Sequence, residues 1–205
     1  MTDIREQFKD CGDHVQIDPN VTIHVPHCLS VGDHVHIMHG FHLHEQLRVG
    51  KIGNNVTIYP NVFIQGMGEL IIEDNVTLYP GVYLSIGRSD TSFIHIGHHS
   101  HCAPNAILYG HGGLEIGPYC NIAAHVVFAT VGHNHHVTDC PMAQVPGLTG
   151  PITLEEDVWV CANATILANT RIAHGCVIGA NAVLTQDTQP RGVYMGVPAK
   201  RVKDR

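Results

Sequence analysis

The sequence predicts an all-β solenoid, a parallel β-helix of about eight triangular coils, on three observations. Bulky apolar residues recur every six positions, a smaller inward residue stands two places before each of them, and a helical 3.6-residue period is absent from the body. From Ile152 the bulky frame runs through Leu154, Val160, Ile166, Ile172, Ile178 and Leu184. Two places ahead of these lie Ile152, Val158, Ala164, Thr170, Cys176 and Ala182.

Traced towards the N-terminus, the frame gives the triplets Cys11, Ile17, Ile23; Val31, Ile37, Leu43; Ile52, Ile58, Ile64; Ile72, Leu78, Leu84; Ile96, Cys102, Leu108; and Ile116, Ile122, Phe128. Each triplet reads as three short strands joined by two tight corners. Most junctions between triplets are longer, so one corner of each coil carries an insert. Such strands bury little alone, but stacked at ~4.8 Å per coil every backbone group pairs with the coils above and below. The predicted organisation is an N-terminal segment 1–10, a β-helix domain 11–187 with an extended loop 129–151, and a basic C-terminal tail 188–205. Four N-x-T triplets, beginning at Asn20, Asn55, Asn75 and Asn163, read as corner residues and not as glycosylation acceptors. His34, His36, His39, His42 and His44 likewise read as exposed turn residues on outer corners, with at most adventitious metal affinity.

Composition fits this fold. Charged residues make up 14% of the chain, against roughly 25% in a typical domain, and polar duty falls on Asn, Thr, Gly and 18 His. A formal charge of −7 argues against a nucleic-acid partner and for a small one. The longest apolar run is Val158 to Ala162, far below the ~20 residues of a membrane span, and no leader peptide is evident. A soluble, cytoplasmic protein without membrane insertion is expected. The seven Cys are odd in number and form no C-x-x-C pair, so neither a disulfide framework nor a zinc knuckle is supported. Cys102, Cys120 and Cys176 occupy inward positions, where Cys acts as a small hydrophobe.

Breaks in a regular solenoid are the places to look for function. The step from Leu84 to Ile96 is twelve residues, with Gly87 to Ser92 between them, and reads as a wider corner. The step from Phe128 to Leu154 is 26 residues and carries His133, His135, His136, Asp139 and Cys140. That loop is too long for simple punctuation.

Units such as Ile-Gly-Asn-Asn-Val-Thr at 52–57, Ile-Glu-Asp-Asn-Val-Thr at 72–77 and Ile-Gly-Ala-Asn-Ala-Val at 178–183 resemble the hexapeptide-repeat superfamily, whose coils are left-handed. Ala129-Thr130-Val131-Gly132-His133 looks like the catalytic segment of its sugar O-acetyltransferases, which act on maltose, galactosides and polysaccharides. Gly150-Pro151-Ile152-Thr153, Asp157-Val158-Trp159-Val160 and Gly196-Val197-Pro198-Ala199-Lys200 follow in that family's order, and the resemblance runs from about Ile96 to the C-terminus.

The resemblance implies an acetyl-CoA-dependent O-acetyltransferase acting on a sugar-like hydroxyl, with coenzyme A as partner, no metal, and a homotrimer whose sites lie between chains. A sugar hydroxyl is a poor nucleophile at neutral pH, and a His can remove its proton as the thioester carbonyl is attacked. By resemblance His133 is that base and Asn105 contacts the acceptor or the reacting centre. Asn105 is also a corner residue of its hexad, like Asn55, Asn61, Asn163 and Asn181. Trp159 would lie beside the reacting groups or the pantetheine arm, or else pack in the core or a trimer contact. Ala162, Ala180 and Thr185 would line the coenzyme groove, and Lys200, Arg201 and Lys203 would meet its phosphates. Gln186 departs from a Lys common in the family, which weakens the expected phosphate contact.

Two other classes fit the repeat. A non-catalytic scaffold needs no His-bearing loop, Trp and basic terminal coil together. A zinc carbonic anhydrase of the same fold uses three His shared between chains. The interval from His99 to His135 suits it, but the third place is Cys140. A Cys140 nucleophile is disfavoured, because the family that the chain resembles transfers directly in a ternary complex.

Overall fold

The computed structural model describes residues 3–205, and it is a three-faced parallel β-helix. Its first face is an eight-stranded sheet running from Asp10–Cys11 to Thr170–Ile172. The second has ten strands, from Gln16–Ile17 to Lys200–Asp204, and the third has eight, from Thr22–Ile23 to Val183–Leu184. Each coil contributes one strand to each face, and equivalent strands pair in parallel, as Leu78 does with Ile58 on one side and Cys102 on the other. Inward side chains of all three faces fill one column. Ile37, Ile58, Leu78, Cys102, Ile122, Val160 and Ile178 are buried in succession along the second face. Cys120 and Cys176 are buried beside them, and burial pushes the Cys102 and Cys120 thiols up to about 12.

Two edges of the prism are tight and uniform. The first–second edge turns through His14, His34, Asn55, Asn75, His99, Tyr119, Asp157, Gly175 and Arg191, all with positive φ. The second–third edge turns through Asn20, Gly40, Asn61, Gly81, Asn105, His125, Asn163 and Asn181, again all with positive φ. Residues with short polar side chains tolerate this left-handed region better than others, which accounts for the Asn-rich N-x-T triplets. Glycine serves a second purpose on that edge. A Cβ at Gly40 would lie 2.2 Å from the Asn61 Oδ1, and one at Gly81 would lie 2.3 Å from the Asn105 Oδ1. The Asn side chain of one coil therefore lies against the bare glycine of the coil before.

The third–first edge takes the inserts. The wider corner at 87–92 lies here and is pinned by the buried Ser92, whose hydroxyl donates to the His111 carbonyl at 3.0 Å. Loop 129–151 leaves this edge between the strands Val127–Ala129 and Ile152–Leu154.

The ends and the histidines modify the expected picture. Cys11 is exposed and Ile17 only half-buried, although both hold inward positions in the frame, because among the described residues no coil stacks before the first. The 3-10 turn Ile4–Gln7 and the buried Phe8 cover that end in part. At the other end pairing continues past Asp187. Gly192–Met195 pairs in parallel with Val177–Ile178, and Lys200–Asp204 folds back antiparallel on it. His36 and His42 lie on strands, not corners, and both are half-buried. The His36 Nε2 is 2.8 Å from the Asp18 Oδ1, while His34 is a corner residue stacked on His14 at 4.7 Å. No helix among the described residues is long and apolar enough to cross a membrane.

Candidate active site

The loop forms a short arm. Val131–Gly132 pairs antiparallel with Leu148–Thr149, and the Gly150 N–H donates to the Thr130 carbonyl at 3.0 Å, closing its base. Thr130 is itself buried, with its hydroxyl donating to the Tyr109 carbonyl at 2.8 Å, so the arm springs from a fixed point of the prism. His133 follows the first strand of the arm, where it is exposed and makes no side-chain hydrogen bond among the described residues. His135 and His136 are also exposed, with rings 4.3 Å apart, and Cys140 is half-buried. The sequence points to no partner that would orient His133, and none is present among the described residues.

The other expected site residues lie elsewhere on the prism. Asn105 sits at the second–third edge with φ of 60°, its N–H donating to the Pro80 carbonyl at 3.1 Å and its amide oxygen against Gly81. Ala162 and Ala180 occupy the same edge two and three coils further on, joined by the Asn181 N–H donating to the Ala162 carbonyl at 3.0 Å. Trp159 is in neither the core nor the loop. It stands 50% exposed on the outer side of the second face, between Asn121 and Val177 of the flanking strands. It borders a cleft of about 300 Å³ shared with His101, Asn121, Asp157, Val177 and Arg205. The Arg205 guanidinium holds the Asp157 carboxylate at 2.8 Å, and burial lowers the pKa of His101.

Thr185 is exposed just after the last strand of the third face, Val183–Leu184. Lys200, Arg201 and Lys203 line the exposed strand that closes the far end. Arg201 is tied to Asp204 at 2.6 Å, so that of these three only Lys200 and Lys203 have no ion pair among the described residues.

The residues thus fall into two groups. Asn105, Trp159, Ala162 and Ala180 share the second face and its edge with the third, whereas His133 stands on the third–first edge, opposite the second face. No hydrogen bond or strand pairing ties the arm to the second face among the described residues. His99 and His135 are likewise separated, on the first–second edge and on the arm.

One residue was missed from sequence. His111 lies on the same edge as His133, just before the coil that bears the arm. Its Nδ1 is buried without a hydrogen-bond partner among the described residues, and burial lowers its pKa. The run Gly110-His111-Gly112-Gly113 at an insert-bearing corner was the available signal.

Comparison with known proteins agrees with this architecture. The family described as "Bacterial transferase hexapeptide (six repeats)" matches residues 151–186. The chain folds as a parallel β-helix of the hexapeptide-repeat type. It is 29% identical over 108 residues to a chloramphenicol acetyltransferase of Klebsiella aerogenes, covering 45% of this chain and 51% of the relative. It is 39% identical over 77 residues to a 2,3,4,5-tetrahydropyridine-2,6-dicarboxylate N-acetyltransferase of Staphylococcus aureus, covering 36% and 32%. The chain therefore spans about half or less of the length of these curated relatives. Among solved structures, the polysialic acid O-acetyltransferase OatWY shares the fold with a TM-score of 0.58 and 21% identity, covering 94% of this chain and 88% of that one. An AntD N-acyltransferase variant from Bacillus cereus, in complex with dTDP-4-amino-4,6-dideoxyglucose and coenzyme A, shares it with a TM-score of 0.54 and 17% identity, covering 98% and 86%.

Proposed function

We propose that this protein is an acetyl-CoA-dependent O-acetyltransferase that modifies a hydroxyl of a sugar-like acceptor by direct transfer, as a cytoplasmic homotrimer with His133 as general base. The observation that carries the reading is the position of His133. It is exposed on an arm anchored to the prism, on the side away from Trp159 and the Ala162–Ala180 edge, so an arm reaching a neighbouring prism would complete a site neither chain holds alone.

In that site the His133 imidazole takes the proton of the acceptor hydroxyl as its oxygen attacks the thioester carbonyl. The tetrahedral oxyanion is stabilised by N–H donors, for which the Asn105 side-chain amide is the candidate. Collapse breaks the carbon–sulfur bond, and the proton held by His133 passes to the departing thiolate. Coenzyme A would lie along the Ala162 and Ala180 backbone past Thr185, with Trp159 beside its arm. Lys200 and Lys203 would meet its phosphates, and Arg201 would have to leave Asp204 to join them.

A primary amine is the second acceptor reading, favoured by the N-acyltransferases among the relatives and neighbours. The test is thiol release from acetyl-CoA with matched panels of saccharides and amino sugars. Acceptor-dependent release that falls by about 10²- to 10⁴-fold in His133→Ala, with coenzyme binding kept, supports the proposal, and the productive panel decides between hydroxyl and amine. No release and no coenzyme binding would favour the scaffold.

A further inference from the structure

The third face carries a second histidine constellation, remote from the arm. His24 directly follows the strand Thr22–Ile23, and His42 and His44 flank Leu43 one coil later. A coil is 20 residues long here, as the pairing of Thr22 with His42 shows, so His24 and His44 occupy equivalent positions in neighbouring coils. Alternation along the strand directs Ile23 and Leu43 into the core and the three imidazoles outwards. Their rings stand 5.1, 5.4 and 5.5 Å apart, and one ring nitrogen from each lies within 4.8 Å of the other two.

We propose that His24, His42 and His44 form a binding site for one divalent cation of the zinc class, with water in the fourth position, which staples the exposed first coil to the second. The geometry supports it. The His42 Nε2 and His44 Nδ1 are 3.4 Å apart, too long for a good hydrogen bond. A tetrahedral zinc with Zn–N bonds of ~2.0–2.1 Å sets its nitrogen ligands about 3.3–3.4 Å apart, so that pair already has the spacing. His42 is half-buried and stacks on Phe63 at 4.9 Å with planes 6° apart, whereas His24 and His44 are exposed and His44 meets the same ring only at 6.4 Å. Glu45 is not a fourth ligand, because its carboxylate accepts from the Gly66 N–H at 2.8 Å and is paired with Arg88.

Three neutral imidazoles with no thiolate suit zinc, nickel or copper ahead of calcium or magnesium. The position also gives the ion a task. The terminal coil of a solenoid lacks one neighbour and needs a cap, and here the first coil shows its weakness in the exposed Cys11 and half-buried Ile17. The cluster lies four coil rises from the coil bearing the arm, about 19 Å at ~4.8 Å each, so it stands apart from the acyl-transfer reading.

The test is titration of the full chain with Zn²⁺ by calorimetry, in competition with a chromophoric chelator, alongside the double variant His24→Ala, His44→Ala. Both substitutions are at exposed positions and leave the His42–Phe63 stack in place. The wild type should bind one zinc per chain at least 100-fold more tightly than the double variant. Zinc should also slow amide exchange in Thr22–Ile23 and His42–Leu43 of the wild type alone. A His14→Ala, His34→Ala variant, which removes the other stacked pair, should bind as the wild type does. Equal affinity in the wild type and the His24/His44 variant would overturn the proposal, as would zinc binding without slowed exchange in the first two coils.

Discussion

Two edges of the same prism differ in what they tolerate. The second–third edge keeps the same short turn in every coil, from Asn20 to Asn181, and from Gly40 onwards each positive-φ residue donates its N–H to the coil before. The third–first edge varies from the two-residue link between Leu167 and Thr170 to the 22-residue link between Ala129 and Ile152. An insertion in the first kind of edge would shift every following side chain out of the core. In the second it only lengthens a loop, because the next strand re-enters the same register. Structure is confined to one edge and variation to the other, and the arm bearing His133 grows where variation is free.

The sharpest break of this contrast is in the column the tight edges keep in register. Ile122 is fully buried on the second face, so Ile122→Ala should cost about 2–5 kcal/mol in chemical denaturation. Next comes the corner itself. Asn163 has a φ of 59°, so Asn163→Ala should cost about 1–2 kcal/mol through left-handed strain, while Asn163→Gly should change stability by only a few tenths.

Asn105 separates the two meanings of a corner residue. Asn105→Gly keeps the backbone conformation, so if the side chain serves the reaction its turnover should fall at least tenfold with melting unchanged. Unchanged turnover would leave Asn105 a corner residue alone.

A smaller effect is expected on the first face, where His95 lies between Glu69 at 2.7 Å and Glu115 at 3.1 Å. Glu115 first, and Glu69 with it, raise the pKa of His95 above its ordinary value near 6.5. The protonated form is favoured in the folded state, so this contribution is complete below pH 6.5 and is lost as pH rises through the raised value. Denaturation midpoints of the wild type should therefore fall relative to His95→Gln between pH 6 and 8. Smallest of all, replacing 134–147 by a short glycine linker should leave stability within about 1 kcal/mol, with acyl transfer abolished.

Much of this was legible in the sequence for one reason: a period of six with inward positions two apart makes short strands joined by corners once strands must stack, while the hand of the coil came from the resemblance alone. The N-x-T triplets followed from the same period. End effects were not legible, because Cys11 obeys the pattern and is exposed only for want of a preceding coil. Nor was the pairing of Arg201 with Asp204, which depends on how the final strand folds back. The frame already set Ile23 and Leu43 one coil of 20 residues apart, but that the rings of His24, His42 and His44 meet on the third face followed only from the paired strands. Asn105 stayed ambiguous because one residue type suits both a left-handed turn and a hydrogen-bonding site.

The central claim is that His133 serves a site whose other half belongs to a neighbouring chain. Chains carrying His133→Ala should be mixed, unfolded and reassembled with chains carrying Ala180→Trp, a bulky substitution at an exposed position of the proposed coenzyme groove. Each parent should be inactive, whereas random reassembly of a cyclic trimer should restore about a quarter of the wild-type thiol release, because one interface in four pairs two intact halves. A co-assembled mixture as inactive as its parents would contradict the account.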